Sequence, residues 1–244
     1  MSCVESVDQP IILNEFLPDK LFLSPAAMKE LERMQEIALN TQIKDAKKTV
    51  IISLNIRSLI RHHQNLLTDP LIEAQVIALQ ETWCHPEQVY ASLEIPGYRQ
   101  HLVSQGRGKG VATYFKGDYQ VTGQIKTDLY QISKVSSSAL DVLNVYCSQG
   151  CNKSNFLKDL GSLVRKDRPC FIVGDLNIDY SSNPNDIVIR MLEGKGFKQL
   201  VQSPTHLCGG TLDHIYVRNS KKNYKIQLNH PYYSDHAALS VAEL

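Results

Sequence analysis

The chain has 244 residues, enough for one domain with a substantial core, or one domain and a short extension. Apolar residues make up 43% and charged residues 21%, which excludes intrinsic disorder; no run approaches a membrane span and MSCVESVDQP lacks the basic-then-apolar order of a secretory signal, so a nuclear or cytoplasmic protein without a membrane partner is expected. A net charge of only +1 excludes a long duplex footprint held by phosphate neutralisation alone and points to a small footprint or to help from a partner domain.

Residues 1–20 are irregular. SPAAMKELERMQEIALNTQIKDAKK then reads as a helix, with Ser24 at the N-cap, Pro25 at the first helical position and a thin apolar stripe of Met28, Leu31, Met34, Ile37 and Ala38. Residues 1–48 are therefore expected to be an N-terminal extension with one helix, linking to an upstream domain. From residue 49 to 244 the texture changes to short apolar strands alternating with amphipathic helices.

Strands are expected at 50–55, 76–81, 110–115, 131–136, 139–147, 170–176, 211–217 and 236–242, and helices at 57–67, 153–166 and 184–194. VIISLN and CFIVGDL are nearly continuous apolar runs, as in strands buried on both faces, whereas QISKVS and DVLNVY alternate. The mixture implies an α/β fold: a four-layer α/β sandwich of two packed mixed sheets flanked by helices.

Polar residues cluster at strand ends: Asn55 after VIISL, Glu81 after VIALQ, Asp175 and Asn177 after CFIVG, Asp213 within TLDHIYV, and Ser234-Asp235-His236 before the last strand. Such groups converge on one rim of a sheet, where α/β folds build sites. Each has a bland alternative: Asn55, Asp175 or Asn177 as a helix cap, Ser234-Asp235-His236 as a turn. Glu81 resists dismissal, because a half-buried carboxylate needs a partner.

Together, LN55…QE81TW…NVY146…GD175LN177…TLD213HIYV…SD235H236 resembles the signature order of the endonuclease/exonuclease/phosphatase superfamily over residues 49–244. Within it, PTHLCGGTLDHIYV…YYSDHAALSV most resembles the target-nicking domains of non-LTR retrotransposons and the related domains of Helitron-type elements. The resemblance implies Mg²⁺, for which Mn²⁺ may stand in, held by Glu81 with Asp235 adding to its shell. It implies Asp175 as the base on the attacking water, Tyr146 facing the scissile phosphate, and Asn55 and Asn177 as amide donors to phosphate oxygens. His236 would contact a non-bridging oxygen, oriented by Asp213. Two positions depart from the pattern: Arg57 stands where many relatives have a second acid, which favours one metal over two, and Gln149 replaces an asparagine.

The implied partner is DNA, expected to be double-stranded, with upstream helicase or downstream polymerase domains in a longer polyprotein. Arg57, Arg107, Lys109, Thr205, His206 and Leu207 are the expected nucleic-acid contacts, although Arg107-Gly108-Lys109-Gly110 reads equally as a solvated turn. Small residues at Cys208, Gly209 and Gly210 argue against a pocket for an abasic sugar. The implied activity is a DNA nick leaving 3′-hydroxyl and 5′-phosphate ends; the alternatives are an RNA-directed phosphodiesterase and an inactive binding module on the same fold. The six cysteines are expected to be reduced thiols, and His206 with Cys208 has too few further ligands nearby in sequence to make a zinc site.

Overall fold

The computed structural model describes residues 49–69, 72–85 and 93–244; the expected N-terminal helix lies outside them. One sheet contains β1 (Thr49–Asn55), β2 (Val76–Gln80), β3 (Arg99–Val103), β4 (Val111–Phe115), β11 (Tyr224–Asn229) and β12 (Ala238–Glu243), in the order β11-β12-β1-β2-β4-β3. The other contains β5 (Gln120–Lys126), β6 (Tyr130–Ser136), β7 (Asp141–Cys147), β8 (Cys170–Asp175), β9 (Lys198–Gln199) and β10 (Asp213–Arg218), in the order β5-β6-β7-β8-β10-β9. Each sheet is mixed, with one parallel pair, β1–β2 or β7–β8, among antiparallel neighbours.

The layers follow from side-chain alternation. Ile51, Val76, Val142, Phe171, Val173, Ile215 and Leu239 fill the space between the sheets. The intervening residues Ile52, Leu54, Ile77 and Leu79 face outward and pack with Leu59 and Leu66 of α1 (Leu59–Thr68). On the far side, Ile132, Leu143, Val145 and Ile172 pack with Phe156 and Leu160 of α2 (Lys153–Leu163) and Val188 and Leu192 of α3 (Ile187–Gly194). This is the expected four-layer α/β sandwich.

The eight expected strands are all present, with ends moved by up to two residues. Four strands were not expected, β3, β5, β9 and β11, and they are the four edges of the two sheets. Their sequences, such as RQHLV and QVTGQIK, are polar and largely exposed, because an edge strand packs on fewer neighbours and carries polar side chains that discourage further pairing.

The helix-cap readings of Asn55, Asp175 and Asn177 fail, whereas a turn is present at residues 234–236, where Ser234 Oγ accepts from His236 N at 3.1 Å. Ser58 caps α1, accepting from Arg61 N at 3.3 Å, and Asp186 caps α3, accepting from Val188 N at 2.8 Å. Neither Asn55, Asp175 nor Asn177 caps a helix. His63 of α1 is buried with Nε2 3.1 Å from Glu94 O, and His62 stacks on Tyr233.

Candidate active site

Parity brings the polar strand ends together. Ile51 faces the opposite sheet, so Asn55 in β1 does too; by the same count Gln80, Asn144, Tyr146, Asp175 and Asp213 share the inter-sheet side with Val76, Val142, Val173 and Ile215. Register sets them abreast, with Tyr146 opposite Asp175 in β7–β8 and Asp213 opposite Asp175 in β10–β8. Gly174 permits the approach of β7: its φ is 135°, and a Cβ there would meet Val145 O at 1.9 Å.

Asn55 links the two sheets. Its Nδ2 donates to Glu81 Oε1 at 3.0 Å and to Asp175 Oδ2 at 2.9 Å, while Trp83 Nε1 donates to Glu81 Oε2 at 3.2 Å. Asn177 N donates to Asp175 Oδ1 at 2.8 Å and Asn177 Nδ2 to Cys147 O at 2.8 Å. Both amides expected to meet a phosphate are thus committed to protein acceptors. They hold the two carboxylates in place, which makes Asn55 and Asn177 positioning residues here. Arg57, Glu81, Trp83 and Asn177 all have left-handed backbone, with φ of 48°, 49°, 58° and 50°. Each costs on the order of 1–3 kcal/mol, and strain gathered on one rim is characteristic of functional sites.

Charge is arranged around Asp175. Burial, reinforced by the neighbouring Asp213 carboxylate, pushes its carboxyl up to about 7. Burial works against a charge on His236, but the bond from its Nδ1 to Asp213 Oδ2, at 2.8 Å, and the nearby acids outweigh it and raise the imidazole to about 9. Burial, with the Glu81 carboxylate adding to it, holds the Tyr146 phenol far above its usual range, so it is a neutral donor; its hydroxyl donates to Gly108 O at 3.0 Å.

The sequence matches the Endonuclease/Exonuclease/phosphatase family over residues 52–236, from β1 to the His236 of this cluster. The chain belongs to that family. Among solved structures it is similar to an AP endonuclease from Archaeoglobus fulgidus (14% identity, TM-score 0.61, covering 79% of this chain and 98% of that one). It is also similar to the 3′ phosphatase NExo from Neisseria bound to a product DNA hairpin (19%, 0.62, 80% and 99%) and to the human Nocturnin catalytic domain (14%, 0.53, 81% and 94%). A search of curated proteins found no match. Members of the family are hydrolytic nucleases and phosphatases that generally depend on a divalent metal.

The donor set fits such an ion. Both oxygens of the half-buried Glu81 carboxylate are held by neutral N–H groups, leaving its charge uncompensated by these contacts, and hard oxygen donors suit Mg²⁺ or Mn²⁺. Asp235, expected beside Glu81 in the metal shell, instead faces Arg57, His206 and His236.

The expected nucleic-acid contacts divide. Arg107 is exposed with its guanidinium 5.5 Å from the Trp83 ring, and Trp83 N donates to Lys109 O at 3.0 Å, so the 106–110 loop lies on the rim beside Tyr146. Leu207 is 68% exposed at the tip of its turn. Arg57 is paired with Asp235 rather than free. Thr205 is a correction: it is completely buried, and its hydroxyl accepts from Leu212 N and Asp213 N, both at 3.0 Å, while its carbonyl accepts from Ala237 N at 2.7 Å. It ties the Asp213 strand to the segment carrying His236.

Sequence reasoning gave no role to three further positioning groups. Ser234 Oγ donates to Asn55 O at 2.7 Å and accepts from His236 N at 3.1 Å, coupling the rim residues. Trp83 steadies Glu81. Gln80 Nε2 donates to Asn144 Oδ1 at 2.7 Å across the buried inter-sheet space below the site. Only Ser234 had a signal, its place before Asp235-His236; the others pair residues 2 and 64 positions apart that no local pattern relates.

Proposed function

We propose that this chain is a Mg²⁺-dependent endonuclease that nicks double-stranded DNA, leaving 3′-hydroxyl and 5′-phosphate ends, and that it cleaves targets for a mobile element. The observation that supports hydrolysis is the inter-sheet cluster itself: a buried carboxyl poised near neutrality, Asp175, beside a charged imidazole, His236. DNA as substrate is supported by two similar structures, an AP endonuclease and a 3′ phosphatase bound to a product DNA hairpin. The mobile-element role is supported by the PTHLCGGTLDHIYV and YYSDH segments.

In this reading Asp175 takes the proton of the attacking water, a task suited to a group whose affinity for protons lies near the working pH. Asn55 and Asn177 fix its two oxygens. The water oxygen bonds to phosphorus and the bond from phosphorus to O3′ breaks, leaving the phosphate on the 5′ end and O3′ to take a proton from solvent as the 3′-hydroxyl. His236, held by Asp213, presents its Nε2–H to a non-bridging oxygen and stabilises the charge that builds there. Tyr146 exchanges the Gly108 carbonyl for the phosphate. Glu81 would hold the divalent ion, which would supply further neutralisation of charge on the phosphate and on the leaving oxygen.

Nicking of a supercoiled plasmid in Mg²⁺ against EDTA tests the reading. Wild type is expected to nick only with metal. Glu81→Gln should lose activity at ordinary Mg²⁺ with its fold intact. Asp175→Asn should lose roughly 10²–10⁴-fold in turnover with DNA binding retained. A wild-type rate in Glu81→Gln across a Mg²⁺ titration would reject the metal assignment. Cleavage of single-stranded RNA in place of the plasmid would establish the RNA-directed alternative, and binding without cleavage the inactive one.

A further inference from the structure

We propose that His206, Asp235 and His236 form a second metal site, selective for a borderline transition ion of the zinc class and separate from the oxygen-donor site at Glu81. In sequence His206 stands 29 and 30 residues from the other two, and the fold closes that gap. Residues 206 and 236 form an isolated antiparallel bridge, Leu207 N donates to Asp235 O at 3.0 Å, and the two imidazole rings lie 4.7 Å apart and nearly perpendicular.

The donor atoms are already gathered. His206 Nε2 is 3.5 Å from Asp235 Oδ2, His236 Nε2 is 4.0 Å from Asp235 Oδ1, and one ligand atom from each residue lies within 4.8 Å of the others. A tetrahedral zinc ion with bonds of about 2.0–2.1 Å sets its donors about 3.3 Å apart, so small side-chain rotations suffice. Asp235 Oδ1 is buried without a hydrogen-bond partner, while Arg57 occupies only Oδ2. His236 already has the outer-shell support that metal-binding histidines use, a carboxylate on Nδ1 that fixes the ring and aims Nε2 at the cluster. His206 Nδ1 accepts from Cys208 N at 3.1 Å. Coordination through Nε2 puts the ring proton on Nδ1 and leaves that exposed N–H to water.

Two imidazoles and one carboxylate favour zinc over Mg²⁺, which prefers oxygen and water, and three protein ligands leave a fourth position open. An ion on His236 Nε2 occupies the atom that would face the phosphate. Zinc is therefore expected to inhibit Mg²⁺-supported cleavage, a consequence that rests on the proposed function; the binding itself does not.

Calorimetric titration of Zn²⁺ into the whole chain in millimolar Mg²⁺, with the visible absorption of bound Co²⁺ as a second readout, tests the site. One equivalent is expected to bind to wild type, to Glu81→Gln and to Cys151→Ser, which removes one thiol of the hydrogen-bonded Cys147–Cys151 pair that could otherwise take zinc, with the intense Co²⁺ bands of a four-coordinate site. His206→Ala should lose the bands, and His206→Gln, which can still accept from Cys208 N–H, should lose them with the fold intact. Asp213→Asn should bind about 10- to 100-fold more weakly, the usual effect of removing an outer-shell partner. Absence of binding in wild type, binding unchanged in both His206 variants, or loss in Cys151→Ser would overturn the proposal. Binding to Glu81→Gln with no nicking by wild type would sink the proposed function and leave this site standing.

Discussion

Asp213→Asn isolates what one carboxylate does for His236. The imidazole is 5% exposed, and burial alone would hold it below its ordinary value of 6.5. It is raised to about 9 because the acids around it, led by Asp213 at 2.8 Å, more than offset that burial. Moving an imidazole from 6.5 to about 9 corresponds to about 3 kcal/mol of preference for the charged form. The sign follows: the imidazolium is populated below about pH 9 and lost above it, so the alkaline limb of kcat/KM for nicking belongs there. An asparagine keeps the shape and can still accept from Nδ1–H, but removes the charge, so His236 should titrate well below 9, with Asp175 and Asp235 still raising it. Were Asp213 the source of the whole rise from 6.5 to about 9, about one site in thirty would be charged at pH 8, so kcat/KM should fall by up to about 30-fold. Asp213 also raises Asp175, so the acid limb should move down as well, and the whole profile should slide to lower pH. Initial nicking rates from pH 5.5 to 9.5 at constant ionic strength would show it. A uniform loss at every pH, with the alkaline limb unmoved near 9, would refute the reasoning and leave Asp213 a purely steric prop.

Other consequences concern stability and target choice. At the opposite end of β7, buried Asp141 sits 3.0 Å from the buried Lys134 Nζ and is also held by Arg165, so Asp141→Asn should cost about 3–5 kcal/mol in urea unfolding by stranding the lysine. Burial pushes that carboxyl up, but Arg165 and Lys134 outweigh it and hold it at about 2; its contribution to stability should be complete above about pH 4 and vanish as pH falls through about 2, which unfolding curves at pH 5, 3 and 2 would resolve. Gly174→Ala drives a Cβ to within 1.9 Å of Val145 O and should destabilise by at least about 3 kcal/mol; a thermal midpoint within a few degrees of wild type would show that β7 and β8 can part there. Leu207→Gly should redistribute nick positions on a supercoiled plasmid while the total rate changes little, because the minor groove beside a cut is read mainly by shape; unchanged positions with a collapsed rate would place the loop in the active site instead.

The interior of the fold was legible because burial on both faces leaves a strong signal. VIISLN, VIALQ and CFIVGD are strands because little else buries such short apolar runs, and all three are buried throughout where burial is described; QISKVS and DVLNVY, expected to alternate between a buried and an open face, are buried at every position too, because they lie inside their sheet. The edges were not legible, since a strand such as QVTGQIK is held by hydrogen bonds from one neighbour and carries polar side chains like those of a loop. Thr205 was misread for the converse reason. A threonine between Pro204 and His206 has the composition of an exposed turn, and only its two accepted backbone bonds explain its burial.

For the candidate site, the sequence by itself determined which chemical groups are available and that each stands at a strand end. Alternation along a strand is local, but VIISLN and CFIVGD are apolar on both faces, so which face Asn55 and Asp175 share is set only by the packing of the two sheets. The tertiary structure decided the partners: Asn55 with Asp175 across 120 positions, Asp235 with Arg57 across 178 and His206 with His236 across 30, along with the protonation each pairing favours. The physical reason is that sheet order and register are set by packing two extended faces against each other, and a hydrogen bond between distant residues carries no trace in the spacing of either.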